Sequence, residues 1–75
     1  MEANMKSKYS RGETVSFDVN GETLIGDVFI IDFRDADEGE FYGLGGAGYT
    51  YDIMVNSKDA LYKHIPENIV TKVEK

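Results

Sequence analysis

Asn20-Gly21 restricts this chain more than any other pair of residues in it. Both tolerate positive φ, and they follow an alternating run, Thr14-Val-Ser-Phe-Asp-Val19. In that run Val15, Phe17 and Val19 fall on one side, with Ser16 and Asp18 on the other. Alternation with period two marks a strand with one buried face. A two-residue Asn-Gly connection after such a strand predicts a type I′ hairpin, whose twist matches that of the flanking strands. The chain is therefore committed early to antiparallel β-structure.

The return strand is expected from Glu22 to about Phe33. Leu24, Gly26, Val28 and Ile30 share one side, and Ile25, Asp27, Phe29 and Ile31 the other. Apolar residues on both sides predict a long, bent strand that serves two halves of a small structure. Gly26, in its middle, predicts close backbone approach or sharp coiling. Residues 34–48 read as a long irregular segment with many glycines, where at most a short helix is expected. Alternation resumes in Tyr49-Thr-Tyr-Asp-Ile-Met-Val55, and Asn56-Ser-Lys-Asp59 has the composition of a tight turn. Residues 60–65 form the fourth expected strand. Pro66 then interrupts the ladder, because it has no N–H to donate. Pro66-Glu67-Asn68 is expected to make one helical turn, and a fifth strand follows over 69–73. The expected core is Val15, Phe17, Leu24, Val28, Ile30, Tyr51, Ile53, Val55, Leu61, Ile65 and Val70.

Strand, proline-led turn, strand at the end of a five-stranded chain resembles the Src-homology-3-like small β-barrel. Its closing segment typically reads Pro-Ser-Asn-Tyr-Val, and Pro66-Glu67-Asn68-Ile69-Val70 stands in its place. The resemblance covers about residues 11–74 and implies an all-β, five-stranded barrel with a short helical turn before the last strand. The family's proline-rich-peptide groove is not implied. The early aromatic stretch and the long first loop are absent, there is no Trp, and Ile69 replaces the closing Tyr. The short first turn is more similar to the Tudor-like and KOW-like branch. Small stand-alone barrels of this look are also encoded by bacterial prophages, which implies an origin of that kind.

With 75 residues the chain makes one domain, read here as a flexible leader over 1–10 and a barrel over 11–75. It has no cysteine, so neither a disulfide nor a thiolate zinc site supports the core. Its start is polar rather than signal-like, and no run approaches the length of a membrane span. A soluble, cytoplasmic monomer with no membrane contact is expected. Fourteen acidic residues against eight basic ones give a net charge of −6, which repels nucleic acid and favours basic partners.

The residues that could bind something lie around the long loop. Asp35, Asp37, Glu38 and Glu40 place four carboxylates in six positions, and Phe41, Tyr42 and Tyr49 follow them. Aromatic anchors with an acidic rim suit a basic protein or peptide. The aromatics could instead plug the end of a small core, or cage a cation. Tyr62, His64 and Pro66 form a second candidate surface. The function expected is a non-catalytic binding or accessory module, with a nucleic-acid-associated module or a weak calcium-binding domain as the alternatives. The calcium-loop spacing is not met, and no metal ligand set is assigned. Gly43-Leu-Gly-Gly-Ala-Gly48 matches G-x-G-x-x-G in letters, but a strand-like run follows it where a dinucleotide site needs a helix. A single histidine without an oriented nucleophile does not make a catalytic centre. No catalytic residue and no cofactor are therefore expected.

Overall fold

Asn20 and Gly21 adopt φ of 51° and 83°, the two positive values that a type I′ turn requires. They join β1 (Thr14–Val19) to β2 (Glu22–Arg34) in the computed structural model, which describes residues 6–73. A six-residue helix, α1 (Ala36–Phe41), leads to β3 (Gly48–Val55). A 3-10 turn over Asn56–Lys58 leads to β4 (Ala60–Pro66), and a second over Glu67–Ile69 leads to β5 (Val70–Lys72). The five strands form one antiparallel sheet in the order β4-β3-β2-β1-β5. The all-β class and the helical turn before the last strand match expectation. The closed barrel does not: β4 and β5 stand at opposite ends of the order, and no ladder joins them. The sheet nevertheless curls over its core. Phe17 on β1 and Tyr62 on β4 meet edge to face at 5.7 Å, although two strands separate theirs. In a flat sheet their strands would lie about 14 Å apart.

β2 is the shared strand. Residues 22–27 pair with β1 and residues 27–34 with β3. Gly26 permits the crossing, because a Cβ there would overlap the Met54 carbonyl oxygen. A bulge follows: Val28 faces Ile53, but the next β3 residue, Asp52, faces Ile30, so Phe29 is extra. One extra residue reverses the alternation of every side chain after it. Ile31, opposite Tyr51, turns to the core, and Ile30 turns away with 39% of its surface exposed. The expectation that Ile30 is core is corrected on this ground. Leu61 is corrected for a related reason. Val55 pairs with Ala60, so Leu61 faces Met54 on the outer side and Tyr62 takes the inner position. A second bulge, at 63–64, then sets Ile65 opposite Tyr51, where it is only half-buried.

The core is Val15, Phe17, Leu24, Val28, Tyr51, Ile53, Val55 and Val70. Of the leader expected over 1–10, residues 1–5 lie outside the described residues. Tyr9 is docked on the core, with its ring 5.9 Å from that of Tyr51 and its hydroxyl donating to the Val70 carbonyl at 3.1 Å. The Tyr51 hydroxyl donates to Glu67 Oε2 at 2.5 Å and accepts from the Tyr9 N–H at 3.3 Å. Burial pushes this hydroxyl well above its ordinary value of 10.0, and the bond to Glu67 pushes it the same way.

Two measurements check this packing. In urea unfolding, Ile53→Ala should lose about 2–5 kcal/mol as a buried large-to-small change, whereas Ile30→Ala should lose under about 1 kcal/mol. Equal losses would contradict the bulge. For Tyr51 the folded state holds its proton more tightly than the unfolded chain. Its contribution to stability is complete below pH 10, the unfolded value, and declines as pH rises beyond it. Tyr51→Phe should flatten that alkaline decline.

Candidate functional site

The segment after β2 becomes a helix because its first residues cap one another. Asp35 Oδ1 accepts the Glu38 N–H at 2.9 Å, and Glu38 Oε1 accepts the Asp35 N–H at 3.2 Å. This reciprocal capping box satisfies two backbone donors, and the acidic first turn suits the helix dipole. Gly39 is buried, and a Cβ on it would overlap the Gly46 carbonyl. That close approach lets 43–48 fold back on α1. The Leu44 N–H donates to the Gly39 carbonyl at 2.7 Å, and Asn68 Nδ2 to the Gly43 carbonyl at 3.0 Å. β3 begins at Gly48, so no helix follows the glycines and they do not form a dinucleotide loop.

Six expected site residues, Asp35, Asp37, Glu38, Glu40, Phe41 and Tyr42, thus lie on or beside α1. Asp35 and Glu38 are engaged in the cap. Asp37 and Glu40 are exposed, and their carboxylates have no bonded partner among the described residues. Phe41 is 82% exposed, the highest value among the exposed large hydrophobic residues, and its ring meets Tyr42 edge to face at 5.1 Å. Tyr42 is fixed from the other side, where Arg34 Cζ lies 4.7 Å from its ring centroid. Tyr49 does not join them. It shares the inner face of β3 with Tyr51 and packs against Phe33 at 5.5 Å.

The outer face of β2–β3–β4 holds a cluster that pattern reading missed. Arg34 Nε donates to Thr50 Oγ1 at 3.1 Å, and its Nη2 lies 2.9 Å from His64 Nδ1 and 3.7 Å from Asp32 Oδ2. A guanidinium only donates, so His64 Nδ1 accepts, which places the imidazole proton on Nε2. His64 occupies the β4 bulge at φ 60°, a left-handed conformation that non-glycine residues rarely adopt. Its backbone N–H is held by Asp52 Oδ1 at 3.0 Å, and Asp52 is buried. In the second expected surface, His64 and Pro66 accordingly face this cluster, while Tyr62 turns to Phe17 in the core. Thr50 and Asp52 read as ordinary solvent-side positions of an alternating strand. The one local sign was that Arg34 follows Asp32 at strand spacing.

Asp32, Asp52 and His64 present ligand atoms within 4.8 Å of one another, the one such group among the described residues. Arg34 already stands among them as an internal cation. The carboxylates of α1 do not converge on a point, and the cap uses two of them. No protein-family model, no curated protein and no solved structure matches the chain.

Asp52→Ala would leave the His64 N–H without its acceptor and should lose about 1–3 kcal/mol in chemical denaturation. His64→Gly should be more stable than His64→Ala by roughly 1 kcal/mol, because only glycine relaxes at that φ. The opposite order would mean that the bulge is not strained.

Proposed function

We propose that this chain is a non-catalytic binding module, and that it takes a basic protein or peptide on the outer side of α1. The carrying observation is Phe41, a large aromatic residue left exposed beside Asp37 and Glu40. An exposed aromatic anchor supplies contact area, and carboxylates around it steer a basic ligand and raise its on-rate. Tyr42, Arg34 and His64 support that anchor from behind, so the helix meets its ligand on a rigid base. A Src-homology-3-like layout of the short-loop kind underlies this reading. The strand order, the sharing of β2 and the 3-10 turn before β5 all support it. Nucleic acid is the weaker reading, since the chain carries −6 overall and its best-placed cation, Arg34, is turned inward to Asp32, Thr50 and His64.

A ¹⁵N-resolved titration tests this. The probe is a short peptide of alternating Arg and Leu, with short DNA, short RNA and calcium in parallel samples. Amide shifts should gather on 35–42 with the peptide alone and weaken as salt rises. Asp37→Asn with Glu40→Gln should slow association severalfold. Phe41→Ala should mainly speed dissociation, losing about 1 kcal/mol or more of binding. Shifts gathered elsewhere, or produced by nucleic acid instead, would displace the proposal.

A further inference from the structure

Free backbone edges run along β4, along β5 and along each half of β2. Three of them are blunted. β5 is only three residues long and carries exposed Lys72. β4 carries exposed Lys63, bends at the His64 bulge and ends in Pro66. The hairpin half of β2 carries Glu22, bridged to Lys58 at 3.0 Å. Short strands, charges, prolines and bulges are the usual devices against pairing with another chain.

The fourth edge starts at the Phe29 bulge and carries Asp32 and Arg34, but these two charges lie in ion-pair range of each other, and the edge has no proline and is longer than β5. The β1–β2 ladder stops at Thr14 and Asp27, and bonds from Val28 to Gly12 and Glu13 cover one residue more. From Phe29 to Arg34, β2 pairs with β3 alone. Among the described residues no backbone bond reaches its other side. Val28 bonds toward the β1 side through both its N–H and its C=O. Backbone groups alternate along a strand, and the bulge shifts that alternation by one residue. Ile31 and Phe33 therefore turn their N–H and C=O groups to the open side. Phe29 and Phe33 are 53% and 51% exposed, and a recess of about 270 Å³ lined by Arg11, Phe29, Ile30 and Ile31 lies beside them.

Charge selects the occupant. Phe29–Arg34 carries one Asp and one Arg, so it is neutral within a chain of −6. A basic partner is drawn to α1 rather than here, whereas a second copy meets no like-charged strip. We propose that this edge pairs antiparallel with the same edge of a second copy about a twofold axis, extending the sheet across the dimer. Centring the axis on Ile31 sets Ile31 opposite its own copy, with Ile30 opposite Asp32 on either side of it, so that the two Ile31 residues exchange backbone bonds and meet as an apolar cross-strand pair. Six residues span only about 20 Å. That is small for a stable interface, so the dimer is weak and depends on concentration. Two copies of −6 repel at long range, so salt strengthens this contact. The basic ligand on α1 has the opposite salt dependence, so the two readings fail separately.

Sedimentation equilibrium of the full chain, from about 10 µM to about 1 mM, tests the proposal at two salt concentrations, about 0.05 and 0.5 M. A monomer–dimer equilibrium that tightens severalfold with salt is expected. Ile30→Glu sets a carboxylate opposite Asp32 of the second copy and should raise the dissociation constant at least tenfold, about 1.4 kcal/mol or more. Phe29→Ser, neutral in charge, should act in the same direction. Hydrogen exchange on the unaltered chain needs no variant to fold. The Ile31 and Phe33 amides should slow as concentration rises, while those of β5 do not change. A chain that stays monomeric throughout, a dimer that loosens with salt, a dimer indifferent to both substitutions in folded protein, or exchange at Ile31 and Phe33 that ignores concentration would each overturn it.

Discussion

The single extra residue in β2 decides what the rest of the molecule can be. Without the bulge at Phe29, side chains at 24, 26, 28, 30, 32 and 34 would all share the inner face. Asp32 and Arg34 would then point into an apolar core, where an unsolvated charge is very unfavourable. With the bulge, the first half of β2 buries Leu24 and Val28, and the second half packs half-buried Ile31 against the same core. The two ionisable residues move to the outer face, where Thr50 and His64 meet them. The strand serves both halves of the sheet because its facing changes midway.

β4 repeats the device with a different residue. His64 holds a left-handed conformation at its own bulge and gives its N–H to Asp52. The two bulges are joined through the Arg34 contact with the His64 ring and through Asp52, which lies opposite Ile30 just past the first bulge. A strained backbone persists when its surroundings over-determine it. Here a buried carboxylate, a guanidinium and the Tyr42 ring supply that surrounding. β3 is consequently covered on both faces over Thr50 to Ile53, although its sequence alternates as if one side met water.

That alternation explains what was legible in the sequence. The Asn20-Gly21 turn, the five strands, the close approach at Gly26 and the turns at 56–59 and 66–69 each depend on local chemistry that letters carry. Bulges depend on what a strand finds opposite it, and Phe29 looks like any other alternating residue until Asp52 pairs with Ile30. Ile30 was misplaced for this reason, and Leu61 because the register after the 56–58 turn sets it opposite Met54. The capping box was legible, since Asp35-x-x-Glu38 has the required spacing, but the run of four carboxylates drew the reading toward ligands instead. Tyr9 was hidden by its polar neighbours, because nothing local signals that its hydroxyl reaches Val70, 61 residues away.

The same geometry divides the acidic residues by what they can still do. Asp52 is committed to the β4 backbone, Asp32 lies in ion-pair range of Arg34, and Asp35 and Glu38 hold the start of α1. Arg34 supplies the positive charge that the outer face needs and covers one face of Tyr42, so an outside cation finds that aromatic ring already taken. Asp37, Glu40 and Phe41 are left over from these internal duties on the solvent side of a helix that cannot shift without breaking its cap. The charge of the long loop is thus divided in two: Asp35 and Glu38 build the start of the helix, and Asp37 and Glu40 are left exposed to solvent.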